Sequence, residues 1–165
     1  MRTIDNINGL NKSEFLSIFG NVFEKTESVA LKVFELKPFK DSDDIISKML
    51  KIYEEYDRDK ILQILNSHPE LAVEKKLTNE SKLEQTSANL NECSEEEFEE
   101  FKKLNLEYKT KFGFPFIIAV KGKNKNEILV NFRERIQNDL NKEFLEAKNQ
   151  VKKIASFRLK DILLF

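Results

Sequence analysis

The chain has 165 residues, of which 40% are hydrophobic and 35% are charged. This length and composition predict one globular domain over residues 1–165 and exclude a disordered chain. The 28 basic residues nearly balance 29 acidic residues, which excludes the basic surface typical of nucleic-acid-binding proteins. One cysteine and one histidine are too few for an internal disulfide or a zinc site of the usual Cys/His kind.

The first ten residues contain no apolar segment typical of a signal peptide. The longest apolar run, at residues 114–120, is far shorter than the roughly 20 residues needed to span a bilayer. We therefore expect a cytoplasmic protein without a membrane partner.

Apolar residues recur at helical spacing along almost the whole chain, without useful strand-type alternation. This pattern predicts an all-α fold, a compact bundle of about eight helices. A polar linker is expected at residues 74–80. The predicted helices follow in this order: from a capping box at residues 11–14, over residues 27–36, from Ser42, over residues 58–66, over residues 81–90, from Ser94, from Asn124, and over residues 141–164.

The only histidine, His68, lies directly before Pro69, where one predicted helix ends. A residue before proline is driven out of the helical region, so His68 is expected at a turn. Histidine is suited to proton transfer near neutral pH, which makes His68 a candidate catalytic acid or base. A surface or capping histidine is the structural alternative.

The helix predicted from Ser81 has a polar face where a core-facing side is expected. Ser81, Glu84, Gln85 and Ala88 are spaced to share that face. Ser81 and Glu84 also match a capping box, in which the two residues bond each other's backbone. The two interpretations are compatible, because a helix N-terminus presents free N–H groups to an anionic ligand.

Glycine and proline bracket an apolar run at residues 113–122. Such a segment can be extended and buried, in which case its backbone N–H and C=O groups need hydrogen-bond partners. A small polar ligand could provide them, or the segment could be a hydrophobic linker through the core.

Arg158 lies in line with the apolar stripe of the last predicted helix. A buried arginine is costly unless it meets an anion. That anion could be a carboxylate of the protein, for which Glu84 is a candidate, or a carboxylate of the substrate.

Motifs with a characteristic order and spacing run through nearly the full chain: His68-Pro69-Glu70-Leu71-Ala72, Ser81-x-x-Glu84-Gln85, Phe101-x-x-Leu104-Asn105-x-x-Tyr108-x-x-Lys111-Phe112-Gly113-Phe114-Pro115-Phe116-Ile117, and Gln150-Val151-x-Lys153-Ile154-Ala155-x-x-Arg158-Leu159-x-Asp161-Ile162. In these residues the chain resembles the 2-oxo-4-hydroxy-4-carboxy-5-ureidoimidazoline (OHCU) decarboxylases of urate breakdown. The family usually has glycine where Ala88 or Asn89 stands here. Because asparagine tolerates a left-handed backbone, we expect the turn to form.

The resemblance implies an all-α enzyme, usually a homodimer, that acts on a small ureidoimidazoline carboxylate and needs neither a metal nor an organic cofactor. It implies that His68 is the catalytic acid or base and that Glu84 and Arg158 are catalytic residues of the same site. The residues expected to bind substrate are Pro69, Ser81, Lys82, Leu83, Glu84, Gln85, Phe116, Ile117, Ile118, Ala119 and Val120.

On this basis the expected reaction is decarboxylation to (S)-allantoin, with His68 delivering a proton to the carbon that loses its carboxylate. Glu84 is expected to orient His68 or the substrate hydroxyl. One alternative is a helical interaction module without enzymatic activity, and another is a lyase that acts on a related ureido acid.

Overall fold

The computed structural model describes residues 3–72 and 77–164, and within them the protein is all-α, as predicted. These residues form nine α-helices and one 3-10 helix, at Leu90–Glu92, and contain no strand. Part of the linker expected at residues 74–80 lies outside the described residues. None of the described helices combines the length and the hydropathy needed to cross a membrane.

The helices fall into two compact units, Met1–Ser67 with Lys152–Phe165, and His68–Val151. Three of the described α-helices and the 3-10 helix lie within the second unit, and the last α-helix begins there and continues into the first unit. The helices of the first unit are α1 (Ile4–Gly9), α2 (Lys12–Phe19), α3 (Ser28–Phe34), α4 (Ser42–Glu54) and α5 (Arg58–Ser67). The remaining helices are α6 (Asn79–Ser87), α7 (Glu95–Phe112), α8 (Lys125–Arg135) and α9 (Leu140–Ile162).

Three helix starts have the side-chain caps that the sequence predicts. Asn11, Ser94 and Asn124 each accept a hydrogen bond from the backbone N–H three residues later. In each case the backbone N–H of the cap donates to a glutamate at that later position. Both N–H groups lack a partner within the helix, and both are satisfied by a side chain. Helix α7 ends at Gly113, whose left-handed backbone (φ 80°) suits glycine.

Two predicted N-caps are wrong, one by a single residue and the other by three residues. The cap of α4 is Asp41 rather than Ser42, because the Asp41 carboxylate accepts from the N–H of Asp44 at 2.8 Å. Helix α6 begins two residues before Ser81, and its cap is Thr78. Helix α1 has no predicted counterpart.

Aromatic packing fills the interior of each unit. In the first, Phe15 lies 4.6 Å from Phe19 and Phe23 lies 4.8 Å from Tyr53, measured between ring centroids. In the second, rings from α7, α8 and the residues after α7 surround Tyr108 at centroid distances of 4.6–5.9 Å; they belong to Phe112, Phe114, Phe116 and Phe132. The sides that α4 and α7 bury carry apolar residues at helical spacing, namely Ile45, Met49 and Tyr53 on α4 and Phe101, Leu104, Tyr108 and Phe112 on α7.

Candidate active site

The predicted catalytic histidine lies in a short loop that follows α5. His68 is 8% exposed, and the chain then runs through Pro69 to Ala72 without helical structure. Ala72 has a left-handed backbone conformation (φ 52°), which costs an L-residue with a Cβ about 1–2 kcal/mol. The turn expected before proline is present, and surrounding contacts must hold its strained end.

Two buried side-chain amides hold the backbone of this loop. The Gln85 amide donates from Nε2 to the carbonyl of Glu70 and accepts at Oε1 from the N–H of Ala72, both at 3.1 Å. Asn105 donates from Nδ2 to the carbonyl of Leu71 at 3.0 Å. We call residues 68–72 the His68 loop, and it is anchored to α6 and α7 through three successive residues.

Helix α6 buries the polar face that the sequence predicts. Ser81, Gln85 and Ala88 are buried and Glu84 is half-buried. The capping box predicted for Ser81 and Glu84 is absent because the helix starts earlier, and the N–H of Ser81 instead donates to Thr78 Oγ1 at 3.3 Å. Ser81 is therefore an internal residue of α6 whose side chain belongs to the buried face.

The other two substrate-binding residues predicted on α6 lie on its outer side. Lys82 is exposed, and Leu83 is 71% exposed. A role for them in substrate binding stays a prediction.

The predicted substrate-binding segment at residues 116–120 is buried along its whole length and has no regular secondary structure. Arg135 Nη1 donates to the carbonyl of Ile117 at 2.7 Å, and the N–H of Ala119 donates to Gln150 Oε1 at 2.9 Å. Among the described residues, the N–H groups of Ile118 and Val120 have no hydrogen-bond acceptor. A buried N–H group needs a partner, so these two can bind an acceptor of a ligand, whereas that of Ala119 is already occupied.

Arg135 is itself held by a buried hydrogen-bond network. Its Nε donates to Glu143 Oε1 at 2.6 Å, and the hydroxyl of Tyr108 donates to the same oxygen at 2.6 Å. Asn138 donates to Glu143 Oε2 at 3.0 Å. Burial, with this bond to Glu143, raises the pKa of Tyr108, so the hydroxyl stays a donor.

The Phe116 ring packs between the Arg135 guanidinium and the aromatic core of this unit. It stacks on Phe132 at a centroid distance of 3.9 Å, with the planes 8° from parallel. The Arg135 guanidinium lies 4.4 Å from the Phe116 centroid, a favourable cation–π position. The buried run is thus a path through the core, as one interpretation predicted, and the binding of a ligand by its backbone, the other interpretation, stays a prediction.

Arg158 lies in the first unit and is buried against a carboxylate of the protein. Its Nη1 is 2.8 Å from Glu24 Oε2 and donates to the carbonyl of Asn21 at 3.0 Å. Arg158 is 6% exposed and Glu24 is 0% exposed. The sequence predicted that Arg158 meets an anion, and the carboxylate of Glu24 is one such anion. A contact of Arg158 with Glu84 or with a substrate stays a prediction.

Cys93 has the environment of an unreactive thiol. Partial burial raises its pKa, and the negative charge of Glu97 adds to this effect while Lys125 opposes it. Because the thiolate is the nucleophile, a raised pKa makes Cys93 a poor catalytic nucleophile.

Several residues that shape the site were not predicted, and one of them had a readable signal. Arg135 follows Ile128 and Phe132 on the buried side of α8, the same pattern that drew attention to Arg158. Glu24 had no such signal, and Asn105 and Gln150 were quoted only as motif positions without a role, because a polar residue alone does not show which backbone group it meets in the fold.

The family model described as OHCU decarboxylase matches residues 8–160. The chain is 38% identical over 162 residues to the uric acid degradation bifunctional protein of Bacillus sp. (strain TB-90), a match that covers 98% of this chain and 32% of that protein. The chain thus spans about a third of the length of that relative. It is 35% identical over 157 residues to the 2-oxo-4-hydroxy-4-carboxy-5-ureidoimidazoline decarboxylase of Haloferax volcanii, covering 95% of this chain and 94% of that protein.

Among solved structures, the chain is similar to the crystal structure of (S)-allantoin synthase. The TM-score is 0.78 and the sequence identity is 25%, over 98% of this chain and 54% of that one.

Proposed function

The chain belongs to the OHCU decarboxylase family, and from that premise we propose that it is a cofactor-independent carboxy-lyase. Its proposed reaction is the conversion of 2-oxo-4-hydroxy-4-carboxy-5-ureidoimidazoline to (S)-allantoin in urate degradation. The observation that carries the proposal is the extent of the family match, residues 8–160, which includes His68, Glu84 and Arg158. We also propose that the protein is a cytoplasmic homodimer, as the resemblance implies.

The proposed substrate explains why the reaction can proceed without a cofactor. When the bond to the carboxylate breaks and carbon dioxide leaves, its electron pair stays on the ring carbon. The conjugated carbonyl and imine of the ring accept that negative charge, and a proton then adds to the same carbon. The protein has to orient the carboxylate, stabilise the charge and protonate one face.

We assign the proton transfer to His68. Its loop is held at Glu70, Leu71 and Ala72 by side-chain amides, so the imidazole projects from a backbone of defined position. Delivery of the proton from one side fixes the S configuration. Glu84, half-buried on the inner face of α6, is assigned to orient His68 or the substrate hydroxyl.

Substrate binding is assigned to groups that suit its charge and its carbonyl oxygens. Arg158 would bind the carboxylate, because a guanidinium presents several donors in one plane and Glu24 holds it in place. The N–H groups of Ile118 and Val120 would bind ring or ureido oxygens. Pro69 and Ser81 stay predicted contacts, and Gln85 contributes by holding the His68 loop.

The reaction can be followed by the circular dichroism of (S)-allantoin. Urate is oxidised by uricase and the product is hydrolysed by hydroxyisourate hydrolase, with and without this chain. We expect the chain to accelerate formation of (S)-allantoin. The variant His68→Asn should fold normally and form no (S)-allantoin above the uncatalysed rate, because its amide cannot serve as the proton donor.

The matched control is Leu106→Asn, which introduces the same amide at an exposed position of α7 and should keep the activity. Normal (S)-allantoin formation by His68→Asn would refute the assignment of the proton to His68. No acceleration by the unsubstituted chain would refute the reaction and favour the interaction module. Activity only on a related ureido acid would favour the other lyase.

A further inference from the structure

We propose that Asn105 is a positioning residue for His68, and that it acts through the backbone of the His68 loop. The inference rests on the proposed function, since it names the residue that holds the proposed proton donor in place. Asn105 belongs to α7, and no contact between it and the reacting groups is needed.

The first observation is the geometry of the bond that Asn105 makes. Asn105 is 3% exposed, and its Nδ2 lies 3.0 Å from the carbonyl oxygen of Leu71, three residues after His68. A carbonyl oxygen only accepts, which assigns the nitrogen of the amide to this contact. Gln85 bonds the residues on both sides of Leu71, so Asn105 completes a set of three successive anchors.

The second observation is the strain at the end of the loop. Ala72 has φ 52°, a conformation that favours glycine, and it directly follows the residue that Asn105 holds. A strained backbone persists only where its surroundings over-determine it. Without the Asn105 anchor the loop is free to relax toward an ordinary conformation, and His68 would move with it.

The third observation separates a positioning role from a stabilising one. Among the described residues, Asn105 Oδ1 is buried and has no hydrogen-bond partner. An unsatisfied buried acceptor lowers stability, so an apolar side chain of similar size is compatible with a folded chain at this position. What an apolar residue cannot supply is the N–H group that meets Leu71.

The test compares Asn105→Met with the same substitution at Asn131. The amide of Asn131 donates only within its own helix, to the carbonyl of Glu127, so Asn131→Met is the matched control. We expect Asn105→Met to keep its helical circular dichroism and to lose about 10-fold to 100-fold in kcat, the scale of a misplaced catalytic group, with KM changed less than kcat. Asn131→Met should keep both constants.

A rescue experiment distinguishes loop position from general stability. In Asn105→Met, the additional change Ala72→Gly removes the penalty for the left-handed conformation in the loop. Lys25 also has a positive φ (49°) but lies in the first unit, so Lys25→Gly relieves similar strain elsewhere. We expect Ala72→Gly to restore part of the lost kcat and Lys25→Gly to restore none.

A third readout does not depend on activity. The chain has one histidine, so its ring produces a single set of NMR signals that needs no assignment. We expect these signals to shift or broaden in Asn105→Met and to stay unchanged in Asn131→Met.

The outcomes separate this inference from the proposed function. An unsubstituted chain without activity, whose histidine signals nevertheless change in Asn105→Met, would refute the function and support the positioning role. Full kcat and unchanged histidine signals in Asn105→Met would refute the positioning role alone. Asn105→Ala is measured in parallel, and failure of both variants to fold would contradict the inference by making the amide necessary for folding.

Discussion

Arg158 and Arg135 show how a buried charge is accommodated in this protein. Each guanidinium lies beside a carboxylate that is fully buried, Glu24 in the first case and Glu143 in the second. Each also donates to a backbone carbonyl, so the charge is both paired and hydrogen-bonded. Removing one partner of such a pair is costly because it leaves the other charge uncompensated in a poorly solvated place.

We therefore expect Glu24→Gln to lower the free energy of unfolding by about 3 kcal/mol, within the range for breaking a buried ion pair. If Arg158 binds the substrate carboxylate, kcat/KM should fall as well, because its guanidinium is no longer held at Glu24 Oε2. Denaturant unfolding and the coupled allantoin assay measure the two effects.

The matched control for this change is Glu54→Gln. Glu54 pairs with Lys152 at 2.9 Å in the same unit, but the two side chains remain 42% and 39% exposed. An exposed pair contributes at most about 1 kcal/mol, so this variant should lose little stability and no activity. Equal stability and equal kcat/KM in the two variants would show that burial of the Glu24 pair has no special importance.

At the scale of elements, α6 is the helix on which the predictions most depend. Thr78 caps its start, and Asn89 follows its end with a left-handed backbone (φ 60°, ψ 23°). The expectation that asparagine can replace the usual glycine at this turn is therefore confirmed. Both ends of the helix that bears Ser81, Glu84 and Gln85 are defined by local chemistry.

The Asn89 turn predicts a difference between two substitutions. Asn89→Ala should lower the free energy of unfolding by about 1 kcal/mol, because a Cβ-bearing residue without a local polar side chain pays the left-handed penalty. Asn89→Gly should cause no loss, since glycine adopts positive φ freely. Urea unfolding of both variants measures the difference.

The neighbouring Asn91 is the control for these variants. It is exposed in the 3-10 helix and has no positive φ, so Asn91→Ala should change stability by less than about 0.5 kcal/mol. Equal losses in Asn89→Ala and Asn89→Gly would mean that the side chain of Asn89, and not its backbone conformation, supports the turn.

At the scale of the whole molecule, two buried tyrosines make the free energy of unfolding depend on pH in the alkaline range. Burial raises the pKa of Tyr53, with the charge of Glu54 adding to it, and burial also raises the pKa of Tyr108, with its bond to Glu143 as the next cause. A phenol exposed by unfolding ionises near pH 10. Because the folded pKa values are higher, the stability contributed by these groups is complete below about pH 10 and is lost as the pH rises above it.

We therefore expect the absorbance of tyrosinate from Tyr53 and Tyr108 to appear together with the loss of helical circular dichroism during an alkaline titration. Both signals are recorded on the same samples. Ionisation of all three tyrosines of the chain near pH 10, with the helical signal intact, would contradict the effect of burial on their pKa values.

The sequence predicts helices well because the information about them is local. Capping residues such as Asn11, Ser94 and Asn124 lie three positions from the backbone group they bond, and apolar spacing marks the buried side. The predicted start of α6 was wrong because threonine and serine are both good N-cap residues, and the sequence has Thr78 and Ser81 three positions apart. The sequence allowed Ser81 to be a cap and a member of the inner face, and only the structure shows that Thr78 is the cap.

By itself, the sequence determined the all-α class, most helix starts, the turn at His68 and the need of Arg158 for an anion. Each follows from apolar spacing, from a backbone preference or from the cost of burying a charge, and all three can be recognised at a residue and its neighbours in the sequence. The tertiary structure decided that Glu24 faces Arg158, that Gln150 occupies the N–H of Ala119 and that Asn105 holds the His68 loop. These pairs are 134, 31 and 34 residues apart along the chain, and a hydrogen bond between distant residues exists only once packing has brought its two atoms together.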